Sequence, residues 1–124
     1  MASETGRIEL ILSGNSRILA GVTGAVNHVA EAAGMKESAR SDLIAAVEDA
    51  CRLAFKETSN NGNRVRITLD QPPGKIEVVL EYKPLHAAGA DSTADLSMRS
   101  KMDGVLREST KSGTRLTLVK KVKR

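Results

Sequence analysis

Residues 64–70 (Arg64-Val65-Arg66-Ile67-Thr68-Leu69-Asp70) alternate strictly between polar and apolar side chains, and Gln71-Pro72-Pro73-Gly74 separates them from a second such run, Lys75-Ile76-Glu77-Val78-Val79-Leu80-Glu81. A period of two places one set of side chains on each face of a strand, so the two runs read as an antiparallel hairpin with one apolar face. The rest of the chain has to cover that face. Residues 115–122 repeat the pattern near the end, and residues 7–12 alternate and then run apolar before Ser13-Gly14-Asn15. Four strands are therefore expected.

The cover comes from two amphipathic helices. From about residue 16 to 33, Ile18, Leu19, Val22, Ala25, Val26, Val29 and Ala30 recur at the three-and-four spacing of one buried stripe, with His28 beside it and Gly34 as terminator. Ser38 is placed to cap a second helix, Asp42 puts negative charge in its first turn, and it runs to about Thr58. Its stripe is Leu43, Ile44, Val47, Ala50, Cys51, Ala54 and Phe55; Ser59-Asn60-Asn61-Gly62-Asn63 stops it. Residues 83–94 read as a flexible loop, leading to a short helix over 95–106. The order strand, helix, helix, strand, strand, short helix, strand predicts an α+β, two-layer α/β sandwich, a mixed and mostly antiparallel sheet covered on one face by helices. At 124 residues the chain forms one domain, 1–124.

Composition excludes several function classes. Phe55 and Tyr82 are the only aromatics, which removes the stacking platform that single-stranded nucleic acid readers use. One cysteine, Cys51, cannot form an internal disulfide and reads as a small buried hydrophobe; two distant histidines, His28 and His86, make no metal cluster. No apolar run reaches the roughly 20 residues of a membrane span, and no signal sequence opens the chain, so a cytoplasmic location is expected. The net charge of +4 is uneven: residues 1–96 carry 10 basic and 13 acidic side chains (−3), residues 97–124 carry 9 and 2 (+7). Lysines near a terminal strand commonly discourage edge pairing, and a phosphate-binding module is the alternative reading of that end.

Val47-Glu48-Asp49-Ala50-Cys51-Arg52-Leu53-Ala54-Phe55-Lys56, followed by a hairpin, resembles the N-box helix of the anti-sigma-factor serine kinases of the GHKL (histidine-kinase-like) ATPase superfamily. Lys101-Met102-Asp103-Gly104-Val105, then Ser112-Gly113-Thr114 and a last strand, is similar to the closing segment of the same family. The resemblance covers most of the chain and implies the GHKL fold. It also assigns positions in the nucleotide pocket. Asp49 takes the place of the acidic residue that orients the attacking hydroxyl, Leu53 that of the magnesium-binding Asn, and Glu57 that of a His. Tyr82 stands where the family has the Asp that receives the adenine amino group, Pro84 where it has the first glycine of that turn, and Gly89 is what remains of the phosphate loop. Gly113 and Thr114 match.

The substitutions remove specific contacts. A leucine has no lone pair for a hard cation, pairing Glu48 with Arg52 instead sets a cation at the metal position, and proline supplies neither positive φ nor an N–H. At 100° per residue Asp49, Leu53 and Glu57 lie off the buried stripe, so Leu53 is either a scattered surface leucine or part of a collapsed pocket or partner surface. No cofactor is expected, ATP and magnesium entering only if the altered site still works. The resemblance implies a regulator that binds a sigma factor or an antagonist-type protein and forms a homodimer. The alternatives are an active ATP-binding anti-sigma kinase with a divergent site, an unusual enzyme using Asp49, Glu57 and His86, and a basic nucleic-acid-associated module.

Overall fold

A computed structural model describes residues 7–13, 19–58, 64–83, 98–111 and 113–122; the side chains of Leu12, Ser13 and Glu57 are not described. Its elements are β1 (Ile8–Ser13), α1 (Leu19–Ala32), α2 (Glu37–Thr58), β2 (Arg64–Asp70), β3 (Lys75–Tyr82), β4 (Gly104–Thr110) and β5 (Gly113–Lys121), with a helical turn at 98–101. The strands form one sheet in the order β1-β2-β3-β5-β4. All four pairings are antiparallel, so the mixed sheet expected from sequence is corrected to a uniformly antiparallel one. The chain is α+β, a two-layer sandwich of helices on one face of an antiparallel sheet.

The hairpin forms as its alternation predicts. Lys75 N–H donates to the Pro72 carbonyl at 3.2 Å, and Gly74 at φ 79° supplies the left-handed corner that follows Pro73 in a type II turn. In β3, Ile76, Val78, Leu80 and Tyr82 are buried while the intervening residues are half-exposed. Val65, Ile67 and Leu69 of β2 and Leu116 and Leu118 of β5 complete the apolar face, and α2 lies against β2, β3 and β5.

Helix α1 ends in a Schellman motif. Met35 N–H donates to the Ala30 carbonyl and Gly34 N–H to that of Glu31, both at 3.0 Å, with Gly34 at φ 80° and Met35 buried. The start of the first helix at residue 16 lies outside the described residues. Helix α2 begins at Glu37, so Ser38 is inside it and is not its N-cap; Glu37 supplies the first-turn negative charge.

The short helix expected over 95–106 is the largest correction. Helical backbone ends at Lys101, and Gly104–Thr110 is strand β4, paired with β5 from Gly104↔Val119 to Thr110↔Gly113. As an edge strand of half-exposed residues it has no face that must be apolar, so Gly-Val-Leu-Arg-Glu-Ser-Thr carries no period-two signal. The 83–94 loop falls almost wholly outside the described residues.

Candidate functional site

Leu53 is 5% exposed and belongs to the same core cluster as Ala46, Ala50, Tyr82, Met98 and Met102. The surface-leucine reading is therefore wrong. Taking Leu43 as the centre of the buried face, Leu53 stands about 80° round α2 on one side and Cys51 about 80° on the other. That arc is wide because α2 packs against α1 as well as the sheet. The stripe read from sequence is offset within it: Ile44 and Phe55 are only partly buried, while Ala46 and Leu53 are fully inside.

Asp49 lies one step beyond Leu53, at the rim. Its carboxylate is 3.5 Å from the Lys101 ammonium and 3.9 Å from the Arg52 guanidinium. Arg52 also reaches Glu48 at 3.7 Å, in the i,i+4 geometry of a helix surface. A carboxylate whose oxygens face two cations has few lone pairs left to accept a substrate proton.

Lys101 is the start of a polar chain that ties α2 to the end of β5. Lys120 Nζ donates to the Lys101 carbonyl at 2.7 Å and lies 3.8 Å from Asp42. Asp103 Oδ2 accepts from the Lys121 N–H at 2.7 Å, and the Asp103 N–H donates to the Val119 carbonyl. Asp42, Asp103, Lys120 and Lys121 line a cleft of about 240 Å³ together with Met35 and Ser38. Sequence reasoning missed this set, since the pairing of Asp42 with Lys120 is created by the fold; the nearest signal was the excess of lysine at the end of the chain.

The sheet side of the candidate site is Tyr82 and Thr114, which face each other across β3 and β5 and are 4% and 7% exposed. Leu53 and Tyr82 both belong to the buried core cluster, Thr114 is buried at the register position opposite Tyr82, and Asp49 stands beside Leu53 on α2. Pro84 and Gly89 lie outside the described residues, as does the side chain of Glu57.

Gly113 has a structural reason to be glycine. Its φ of 138° belongs to a region L side chains rarely adopt, and a Cβ there would run into the Tyr82 carbonyl and the Lys83 Cα. The close approach of β5 to the end of β3 requires it.

Cys51 is fully buried, and its thiol is pushed up from 9.0 to about 12, chiefly by burial and next by the Glu48 carboxylate, against a lowering from Arg52. It stays protonated at neutral pH and is no nucleophile. His28 is exposed on α1; His86 is outside the described residues. Among the described residues no three His, Cys, Asp or Glu side chains gather as metal ligands, and no helix is long and apolar enough to cross a membrane.

No family model matches the chain, and no curated protein matches it. Among solved structures it is similar to the crystal structure of the RsbU and RsbW domains of Rv1364c from Mycobacterium tuberculosis, with a TM-score of 0.78 and 11% identity over 98% of this chain. The match takes in 34% of that solved chain, so the present sequence spans about a third of its length. At that identity the likeness speaks to architecture: this chain has the α+β fold found within that two-domain structure.

Proposed function

We propose that the chain is a regulatory protein-binding domain on a histidine-kinase-like fold, acting on a sigma factor or an antagonist-type partner without Mg-ATP chemistry. The observation that carries this reading is the burial of Leu53 and Tyr82 at the positions which the family resemblance assigns to the metal-binding Asn and the adenine-binding Asp. The structural likeness to a protein with an RsbW domain agrees with the resemblance in sequence to anti-sigma-factor kinases. Losing a metal ligand and an adenine acceptor together costs more than the few kcal/mol that separate useful from negligible nucleotide affinity. Protein binding needs a surface and survives these losses.

Calorimetric titration with ATP and magnesium should give no saturable heat, and binding at micromolar concentration would overturn the non-catalytic half of the reading. Titration against a panel of sigma factors and their antagonists, with and without nucleotide, should find a nucleotide-independent partner. Failure of the whole panel would overturn the regulatory half.

The phosphate-binding alternative loses ground on the charges themselves. Lys120 is 15% exposed and held by Lys101 and Asp42, and Arg115 lies between Glu81 at 3.6 Å and Glu108 at 4.0 Å. These two cations, and Lys101 beside Asp49, are matched by carboxylates within the protein.

A further inference from the structure

The sheet face turned away from α2 holds a groove of about 380 Å³, lined by Ile11 of β1, Arg64 and Arg66 of β2, and Glu81, Tyr82 and Lys83 at the end of β3. Residues two apart on a strand share a face, so Arg64 and Arg66 stand together on the side opposite buried Val65 and Ile67. Ile11 and Glu81 flank Arg66 in register, one on each neighbouring strand. Arg64, Arg66 and Lys83 are exposed, and Ile11 keeps 52% of its surface in solvent.

The cations of this groove outnumber its acids. The Glu81 carboxylate is 3.6 Å from Arg115, on the β5 side, and among the described residues no ion pair holds Arg64 or Arg66. The other acids on this part of the face lie toward its opposite end. Glu9 stands two residues before Ile11 on β1, and beyond Thr68 and Val79 come Asp70, 3.9 Å from Arg7, and Glu77, 3.3 Å from Lys75. An anionic ligand is therefore drawn to the level of Arg64 and Arg66 and turned away from the Glu9 end.

We infer that the groove takes an extended acidic peptide whose glutamates, at alternate positions, lie along Arg64 and Arg66. Spacing and charge select that ligand. The two arginines are about 6.7 Å apart along β2, and alternate side chains of an extended peptide repeat at the same distance, so one carboxylate meets each guanidinium. Ile11, beside Arg66, gives the methylenes of a glutamate an apolar surface. A single nucleic acid strand also presents anions, but its bases need aromatic surfaces to stack on. The aromatics of this chain lie elsewhere: Tyr82 is buried on the other face with Leu80, and Phe55 is on α2. The groove and the Leu53 site are on opposite sides of the sheet, so the inference holds or fails separately from the regulatory reading.

The test is an NMR titration of the isotope-labelled full chain with the capped peptide Glu-Thr-Glu-Thr-Glu. Saturable shifts should appear at the amides of Ile11, Arg64 and Arg66 by about 5 mM peptide, and they should weaken as salt is raised. The isomer Glu-Glu-Thr-Thr-Glu has the same charge but no two glutamates two apart, and it should bind about 10-fold more weakly. Arg64→Gln and Arg66→Gln should each weaken binding of the alternating peptide about 10-fold, whereas Lys36→Gln, at the cleft beside α2, should leave it unchanged. Circular dichroism and melting curves matching the parent establish that the variants are folded. Absence of saturable shifts at these amides by 5 mM overturns the inference, as does equal binding of the isomer or of a hexathymidylate, which would make the groove a general anion patch. Folded arginine variants that bind like the parent also overturn it.

Discussion

The Lys101 ammonium sits 3.5 Å from the carboxylate of Asp49, joining the turn at 98–101 to the rim of the buried cluster on α2. Both side chains are about a third exposed or less, so the pair is screened by solvent and by salt. A double-mutant cycle with Asp49→Asn and Lys101→Met should give a coupling of about 0.2–1 kcal/mol in denaturant unfolding, shrinking in 1 M salt. A coupling well beyond that range would mean that the pair is held in a drier environment than the structure describes.

Placing an amide at the position that the resemblance assigns to a metal-binding Asn, by Leu53→Asn, should damage the protein without giving it a metal site. The substitution removes a buried alkyl group and leaves an amide in the core, which should cost about 2–4 kcal/mol in urea unfolding. Titration with magnesium and ATP should remain flat. If binding appeared, the core at Leu53 would have to open readily enough to admit a nucleotide.

Two glycines with positive φ should respond differently to alanine. At Gly34, φ 80°, a Cβ meets nothing within 4 Å, so Gly34→Ala should cost only about 1–2 kcal/mol of backbone strain. At Gly113 the added carbon meets the Tyr82 backbone as well, and no flexible side chain can give way. Gly113→Ala should therefore destabilise the chain clearly more, and equal midpoint shifts in the two variants would contradict the close approach of β5 to β3.

Cys51 makes stability fall at alkaline pH. Its folded pKa of about 12 lies above the starting value of 9.0, so the buried thiol favours the folded state fully below pH 9. As pH rises from 9 toward 12 the unfolded chain loses this proton first, and the thiol alone should remove about 1.4 kcal/mol per pH unit. Between pH 8 and pH 10 the unfolding free energy of the parent should therefore fall by about 1.4 kcal/mol more than that of Cys51→Ala. A native thiol that reacts rapidly with a thiol reagent at pH 8 would contradict the burial.

The strands with one apolar face were legible because burial on a sheet imposes a period of two, and Lys75-Ile76-Glu77-Val78 shows it residue by residue. Strand β4 was not, because an edge strand half-exposed along its length places no such demand on Leu106, Arg107 or Glu108. Leu53 was misplaced for a related reason. A single stripe is the right template for a helix packed on one surface, whereas α2 is packed on two, and the wider arc takes in a residue that one stripe leaves out. The positions of the candidate pocket were found through the family resemblance; that Asp49 would be engaged by Lys101 depends on tertiary contact, which spacing along one helix does not encode.

The place of β5 has a consequence for how the sheet is assembled. It is the last strand in sequence but lies inside the sheet, between β3 and β4. Until residues 113–121 have been made, the outer edge of β3 has no neighbour and β4 has nothing to pair with. A growing chain therefore carries a hairpin with an open edge while the strand that closes it is still to come, and interruption before Gly113 would leave a fragment poised to take that strand from elsewhere.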